Sequence, residues 1–595
     1  MGDASTFTTR PQLQGDFGMA SSTHWLASSS AMAMLERGGT AFDAAVAAGF
    51  VLQVVEPHLN GPGGEVPIIL YDSATEETVV LAGQGPAPDG ATLEHFADLG
   101  LDVIPGSGLL PACVPGAFDA WMTLLSRGVL SLRDVLEPAI GYATRGFATH
   151  PRLAATIDGV TAHFLEHWPT SAATWLDDGR GPVAGTRVRN PVLAATYERL
   201  LTEAEARSSD RDGQIAAARD VFYRGFVAEA MVAFATTEIH DSSGRRHAGL
   251  LSGDDLDRWV TPVEAPVTFD YRSLRVHKTG PWGQGPVFCQ QLALLSGFDL
   301  DDLETDGVEL VHLVIESAKL AFADREAYYG DPAFVEVPLD DLLSSAYADA
   351  RRKEIGTEAR HDLLPGAPGG RTPVLPSRLP LGEGIDVHAT DTEPTVNRHG
   401  TRGDTCHLDV ADRHGNFVSA TPSGGWLQSS PTIPALGFPL GTRGQMFWLE
   451  PGLASSLAPG KRPRTTLTPT MVHRDGRPYL AFGTPGGDQQ DQWSLIAFLR
   501  HVHHGLGIQA AIDAPTFHSL HMPSSFAPRA RNPLDVVIES RFPKESLAGL
   551  EDRGHHVVRS GAWSLSRLCA VGRGGDGMLQ GAADPRAMQC YAVGR

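Results

Sequence analysis

Small and apolar residues fill the run from Leu26 to Arg37, L-A-S-S-S-A-M-A-M-L-E-R, which reads as an Ala-rich helix stopped by Gly38-Gly39. Thr40, with Asp43 three residues on, offers oxygens to free N–H groups and caps a second helix reaching about Val55. Asn60-Gly-Pro-Gly-Gly64 follows, a turn-rich stretch that lets backbone approach backbone closely. It leads into a strand over Val66–Tyr71, a turn over Asp72–Glu77 and another strand over Thr78–Leu81. Residues 112–350 are mainly helix-like, as in Gly307–Tyr329. The pattern lapses from Arg360 to Arg402, which is rich in Pro, Gly and charge and reads as a linker, a lid, a processing site or a plain surface loop. Alternation then resumes. Thr405–Val410 and Phe417–Thr421 flank a turn at Arg413-His-Gly-Asn416, and Met471–His473 and Tyr479–Phe482 flank another at Asp475-Gly-Arg-Pro478. A helix-rich middle and a strand-rich final third predict an α+β protein with stacked sheets covered by helices.

Composition narrows the class. The 595 residues are 42% hydrophobic and carry a net charge of −22, a field that repels phosphate backbones and anionic lipid. Neither nucleic acid nor membrane is an expected partner. Ala44–Val55, the most apolar run, is too short for a span. The five cysteines are scattered with no C-x-x-C pair, which fits a reducing compartment rather than a disulfide framework or zinc cluster. Residues 1–18 lack the apolar core of a secretory signal, so a cytoplasmic enzyme is expected.

The chemistry starts at Thr405, which opens a strand just after the aperiodic segment. A threonine hydroxyl is weak in mid-chain. Once the preceding peptide bond is cut, its own α-amine can act as general base on it. Most strands that begin with Thr are only strands, so the surroundings decide. Gly486 and Gly487, in G-T-P-G-G, can turn two bare N–H groups toward one oxyanion, or can form an ordinary tight turn. Thr465 and Thr466 offer paired hydroxyls for a carboxylate, or are simply strand residues. His501, His503 and His504 have no carboxylate at ligand spacing and read as solvated or hydrogen-bonded rather than metal-binding. Cys406 points to the opposite strand face from Thr405 and reads as buried structure. No phosphate loop or dinucleotide fingerprint occurs, so no cofactor is implied.

The run D-T-C-H from Asp404 resembles the small-subunit start of the gamma-glutamyltranspeptidase family, T-T-H-x-S. There the first Thr is both self-cleavage site and nucleophile, and a second hydroxyl bonds to it; Thr405 and Ser423 take those places. Lys319–Pro332, Lys461–Pro469 and Gly483–Gly487 are similar to further family motifs in the same order. The resemblance implies an N-terminal-nucleophile hydrolase, a four-layer αββα sandwich, cut at Asp404–Thr405 into a large chain (1–404) and a small chain (405–595). It also implies a small-molecule amide substrate, an acyl-enzyme on Thr405 and an oxyanion held by Gly486 and Gly487. Oligomeric state stays open, a homodimer included.

The departures bear on substrate. Gln84 stands where the family has an Arg gripping the glutamyl α-carboxylate, and Trp448 where it has an Asp gripping the α-amine, while Gln445 is retained. The charged clamp is lost at both ends. Arg443 then anchors a carboxylate elsewhere, with Trp426, Phe447 and Trp448 shaping an apolar acyl pocket; alternatively the aromatics are core and Arg443 a surface charge. The family's flexible lid is missing, since Gly452–Pro459 runs straight into Lys461. These features look more like cephalosporin acylase-like and oxamate amidohydrolase-like members than true transpeptidases. A non-processed binding or assembly protein is the alternative.

Overall fold

Helix α1 (Trp25–Glu36) stops just before Gly38, which turns the chain at φ 90°. The expected cap starts α2 (Ala41–Val55): the Thr40 hydroxyl accepts from the Asp43 N–H, and the Asp43 carboxylate accepts from the Thr40 N–H. Every residue of α2 is buried, which is why its sequence is apolar all round rather than striped.

In this computed structural model, which describes residues 7–382, 393–396 and 401–595, two seven-stranded antiparallel sheets lie at the centre. One runs in the order Tyr591–Gly594, Gly18–Ser22, Leu408–Asp412, Phe417–Ala420, Val66–Asp72, Glu77–Gly83, Val263–Glu264. The other runs Leu13–Gly15, Leu579–Ala583, Cys569–Arg573, Arg477–Gly483, Thr470–Arg474, Leu274–Lys278, Val267–Tyr271.

Strand period divides the core into layers. Ile69 and Tyr71 from the first sheet meet Met471, Ala481 and Val571 from the second between the sheets. Ile68 and Leu70 point the other way, into a core shared with α1, α2 and α3 (Pro151–His167). On the far side, Leu480 and Phe482 pack with α4 (Gly285–Leu295), α5 (Val308–Tyr328) and α6 (Gln490–His503). The order is helix, sheet, sheet, helix.

Two expectations need correction. The strand after the linker starts at Leu408, not Thr405. Pro422 has no N–H to extend the ladder, so Thr405 meets Ser423 through an isolated bridge. The linker is also less bare than its sequence suggests. Glu393–Val396 pairs with Thr401–Gly403, and Gly366 is pinned by Asp324 (N–H to Oδ1, 2.7 Å) and Tyr328 (O–H to the carbonyl, 2.7 Å). Residues 383–392 and 397–400, which belong to the same linker reading, lie outside the described residues. The middle region also contributes three strands to the two central sheets, Val263–Glu264, Val267–Tyr271 and Leu274–Lys278, besides short two-residue strands outside them. No helix of the described residues is long and apolar enough to cross a membrane.

Candidate active site

Thr405 is fully buried, and its Oγ1 lies 3.2 Å from Ser423 Oγ. Ser423 is held in place by exchanging backbone hydrogen bonds with Glu65, each 2.9 Å. The glycines of the Asn60–Gly64 loop make this contact possible. A Cβ on Gly64 would sit 2.1 Å from the Ser423 carbonyl oxygen, and one on Gly61 2.7 Å from that of Gly425.

Arg443 is buried too, and it supports Ser423. Its Nη2 donates to Ser423 Oγ at 2.7 Å, its Nε donates to Glu65 at 2.6 Å, and its guanidinium lies 4.8 Å over the Trp426 ring. Burial pushes the Glu65 carboxyl up, against the pull of the Arg443 charge. Arg443 does anchor a carboxylate, but it is Glu65 of the protein itself, and it is no surface charge. Gly424 (φ 74°) has no room for a side chain, since a Cβ there would lie 2.4 Å from the Glu65 carboxylate.

The peptide bond before Thr405 is gripped on both sides. The Asp404 carboxylate pairs with Arg152 at 2.7 Å and with Arg567, and its Oδ1 accepts the Thr405 N–H at 2.8 Å. The Asp404 carbonyl oxygen accepts from the Trp426 indole N–H at 2.6 Å and from Ser423 Oγ at 3.1 Å. The same indole N–H is shared with the Leu59 carbonyl at 2.8 Å. Two donors therefore converge on the carbonyl that a Thr405 attack would charge, in a dry site where such bonds are strong.

The G-T-P-G-G loop reaches the same region. Gly483 ends its strand against His407, where a Cβ would lie 2.4 Å from the ring, and His407 is fixed by Thr421 (2.9 Å) and Asp409 (3.0 Å). Gly486 (φ 125°) and Gly487 (φ 52°) follow, and neither N–H has a hydrogen-bond acceptor among the described residues. A Cβ on Gly486 would stand 2.3 Å from Trp493. Asp488 fixes the next turn by binding Arg325 and Ser525.

Gln84 and Gln445 are buried, each with its amide N–H₂ on a backbone carbonyl and its oxygen without a partner among the described residues. Thr465 and Thr466 are buried in a loop, not a strand. The three aromatics do not form one pocket. Met446 and Phe447 are neighbours pointing apart: Met446 packs with Trp426 and Phe526, Phe447 with Ala87 and Leu110. Trp448 donates to Glu326 at 3.0 Å and stacks on Arg529. The segment after it is a short loop tied down by Lys461, which donates to the carbonyls of Ala454 and Ser456. Cys406 is buried against Glu56 and Asn60. His501 and His503 bond to Tyr479 and Tyr271.

Sequence reasoning missed Glu65, Arg152, Arg567 and the donor role of Trp426. Their partners lie 20 or more positions away, and Trp426 reads as an ordinary core aromatic. Glu65 alone had a signal, standing directly after the glycine loop.

The gamma-glutamyltranspeptidase family profile matches residues 27–593. The glutathione hydrolase-like YwrD proenzyme of Bacillus subtilis (strain 168) is 30% identical over 573 residues, covering 96% of this chain and 97% of that one. A structure solved as LmbA2991HD is 53% identical and covers 99% of this chain and 100% of its own, with a TM-score of 0.93. The cephalosporin acylase of Bacillus halodurans is 27% identical, spans 100% of this chain and 99% of its own, and superposes with a TM-score of 0.80.

Proposed function

Given that the chain belongs to the gamma-glutamyltranspeptidase family, we propose that Thr405 is the nucleophile of a self-processing amide hydrolase and acyltransferase. The αββα architecture is that of the N-terminal-nucleophile hydrolases, and the chain is an amide-bond enzyme made as a precursor. A non-processed binding protein is not favoured. The observation that carries the reading is the Asp404 carbonyl held by Trp426 and Ser423, with the Thr405 hydroxyl on Ser423.

Maturation proceeds by attack of Thr405 Oγ1 on the Asp404 carbonyl carbon. The Thr405 proton passes to Ser423 Oγ, and the Ser423 proton already points at the oxygen that gains charge. Trp426 stabilises that oxygen. The C–N bond then breaks, the nitrogen takes up the relayed proton, and Asp404 is left as an ester on Thr405. Water hydrolyses the ester, giving a large chain 1–404 and a small chain 405–595. The freed α-amine of Thr405 then serves as general base for turnover. Gly486 and Gly487 receive the substrate oxyanion, and water or an amine releases the acyl group.

The acyl group is not primarily a γ-glutamyl zwitterion. Gln84 offers a neutral amide where a carboxylate would need a cation, Arg443 is neutralised by Glu65, and Trp448 offers no charge to an ammonium. Burying that ammonium without a counter-charge costs several kcal/mol. Acyl amides without the charged α-amine suit the site better, and apolar ones need no counter-charge at all.

The test is a panel of amides run on wild type and on Thr405→Ala. Wild type should turn over acyl amides lacking the α-amine faster than γ-glutamyl anilide, and Thr405→Ala should neither cleave itself nor turn over any. Preference for γ-glutamyl anilide would overturn the substrate reading, and an active Thr405→Ala the nucleophile.

A further inference from the structure

Away from Thr405, three imidazoles converge where α3 ends. His163 and His167 are one turn apart, so both rings lie on one face of the helix. His240 comes from the short strand Ile239–His240, which pairs with Arg246–His247 and whose carbonyl accepts the Trp168 indole N–H at 2.9 Å. One nitrogen from each of the three rings lies within 4.8 Å of the others. His163 Nε2 and His240 Nδ1 are buried and have no hydrogen-bond partner among the described residues. A buried acceptor in that state is unfavourable until something fills it.

We propose that His163, His167 and His240 bind one transition-metal ion of the zinc type, leaving a fourth position to water or to Glu166. Three imidazoles without thiolates suit Zn²⁺, Cu²⁺ or Ni²⁺ and not the hard oxygen-seeking cations.

The rings of His167 and His240 stack at 3.9 Å, nearly parallel. A tetrahedral ion with bonds of about 2.0–2.1 Å needs its nitrogens about 3.3 Å apart. Binding would therefore rotate the partly exposed His167 ring toward the other two. In the second histidine cluster, His312, Glu316 and His555, two of the three groups are already engaged, with His312 on His555 at 2.9 Å and Glu316 on Lys319 at 2.7 Å, although His555 Nδ1 has no partner among the described residues. The ion would brace the end of α3, whose first turn carries Arg152 on Asp404, roughly 17 Å or more along the helix axis.

The experiment uses the full chain, stripped with a chelator and dialysed against ZnCl₂ at neutral pH, with metal content measured and Co²⁺ absorption as a report of tetrahedral geometry. We expect one equivalent per chain, and at least about tenfold weaker binding in His163→Ala, His240→Ala and the milder His163→Gln. His555→Ala should bind as wild type does. Occupancy should fall as acid protonates the rings. Less than half an equivalent at about 100 μM free zinc overturns the site. So does unchanged affinity in folded His163→Gln and His240→Ala, or loss in His555→Ala alone.

Discussion

Replacing Trp426 by Phe removes the indole N–H together with the five-membered ring, and leaves a benzene ring to face Arg443, Met446 and Phe526. The site is fully buried, so the smaller ring also leaves a cavity that costs stability, and the fold has to be checked alongside the rate. The Asp404 carbonyl loses its shorter hydrogen bond, at 2.6 Å, and keeps the longer one from Ser423, at 3.1 Å. Loss of one oxyanion donor typically costs 10²–10³ in rate, or about 2.7–4 kcal/mol. Because the indole N–H is shared with Leu59, the lower end applies, and self-cleavage should slow by about 10². The assay follows conversion of newly synthesised precursor to its fragments on a denaturing gel, with circular dichroism to confirm the fold. Cleavage by folded Trp426→Phe within about threefold of wild type would refute the donor role.

Gly486→Ala, with no room beside Trp493 and a strained φ, should cut turnover by about 10² while self-cleavage stays near wild type; equal losses in both would mean that one oxyanion site serves both steps. Glu65→Gln leaves Arg443 buried without its counter-charge, so stability should fall by about 3–5 kcal/mol and cleavage should slow; an unchanged Tm would refute the pair's role. Acid should destabilise the fold, because burial holds His24 and His518 at about 3. The unfolded chain binds protons that the native state refuses as pH drops from about 6.5 toward 3, so stability is lost across that window. Melting curves should show Tm falling steadily through it, and a flat profile down to about pH 4.5 would contradict the assignment.

Much of this was legible where local rules govern. Thr40 and Asp43 announce a cap, the apolar run Val66–Tyr71 announces a strand, and the Gly loop marks a close backbone approach. Thr405 and Ser423 were readable through their motifs, and they meet. What could not be read are buried charges satisfied across the chain: Asp404 by Arg152 and Arg567, Arg443 by Glu65. Such pairs have no periodicity, and a lone Arg looks the same on a surface as in a core. The aromatic pocket failed for a related reason, since Met446 and Phe447 face opposite ways and only three dimensions reveal it.

The central claim is that Thr405 becomes a terminus. Intact mass and N-terminal sequencing of fresh protein test it most directly. Apportioning 63.4 kDa by length gives fragments of about 43 and 20 kDa, the smaller beginning Thr-Cys-His. A single chain that stays whole on long incubation, or a cut at any other bond, would contradict the account.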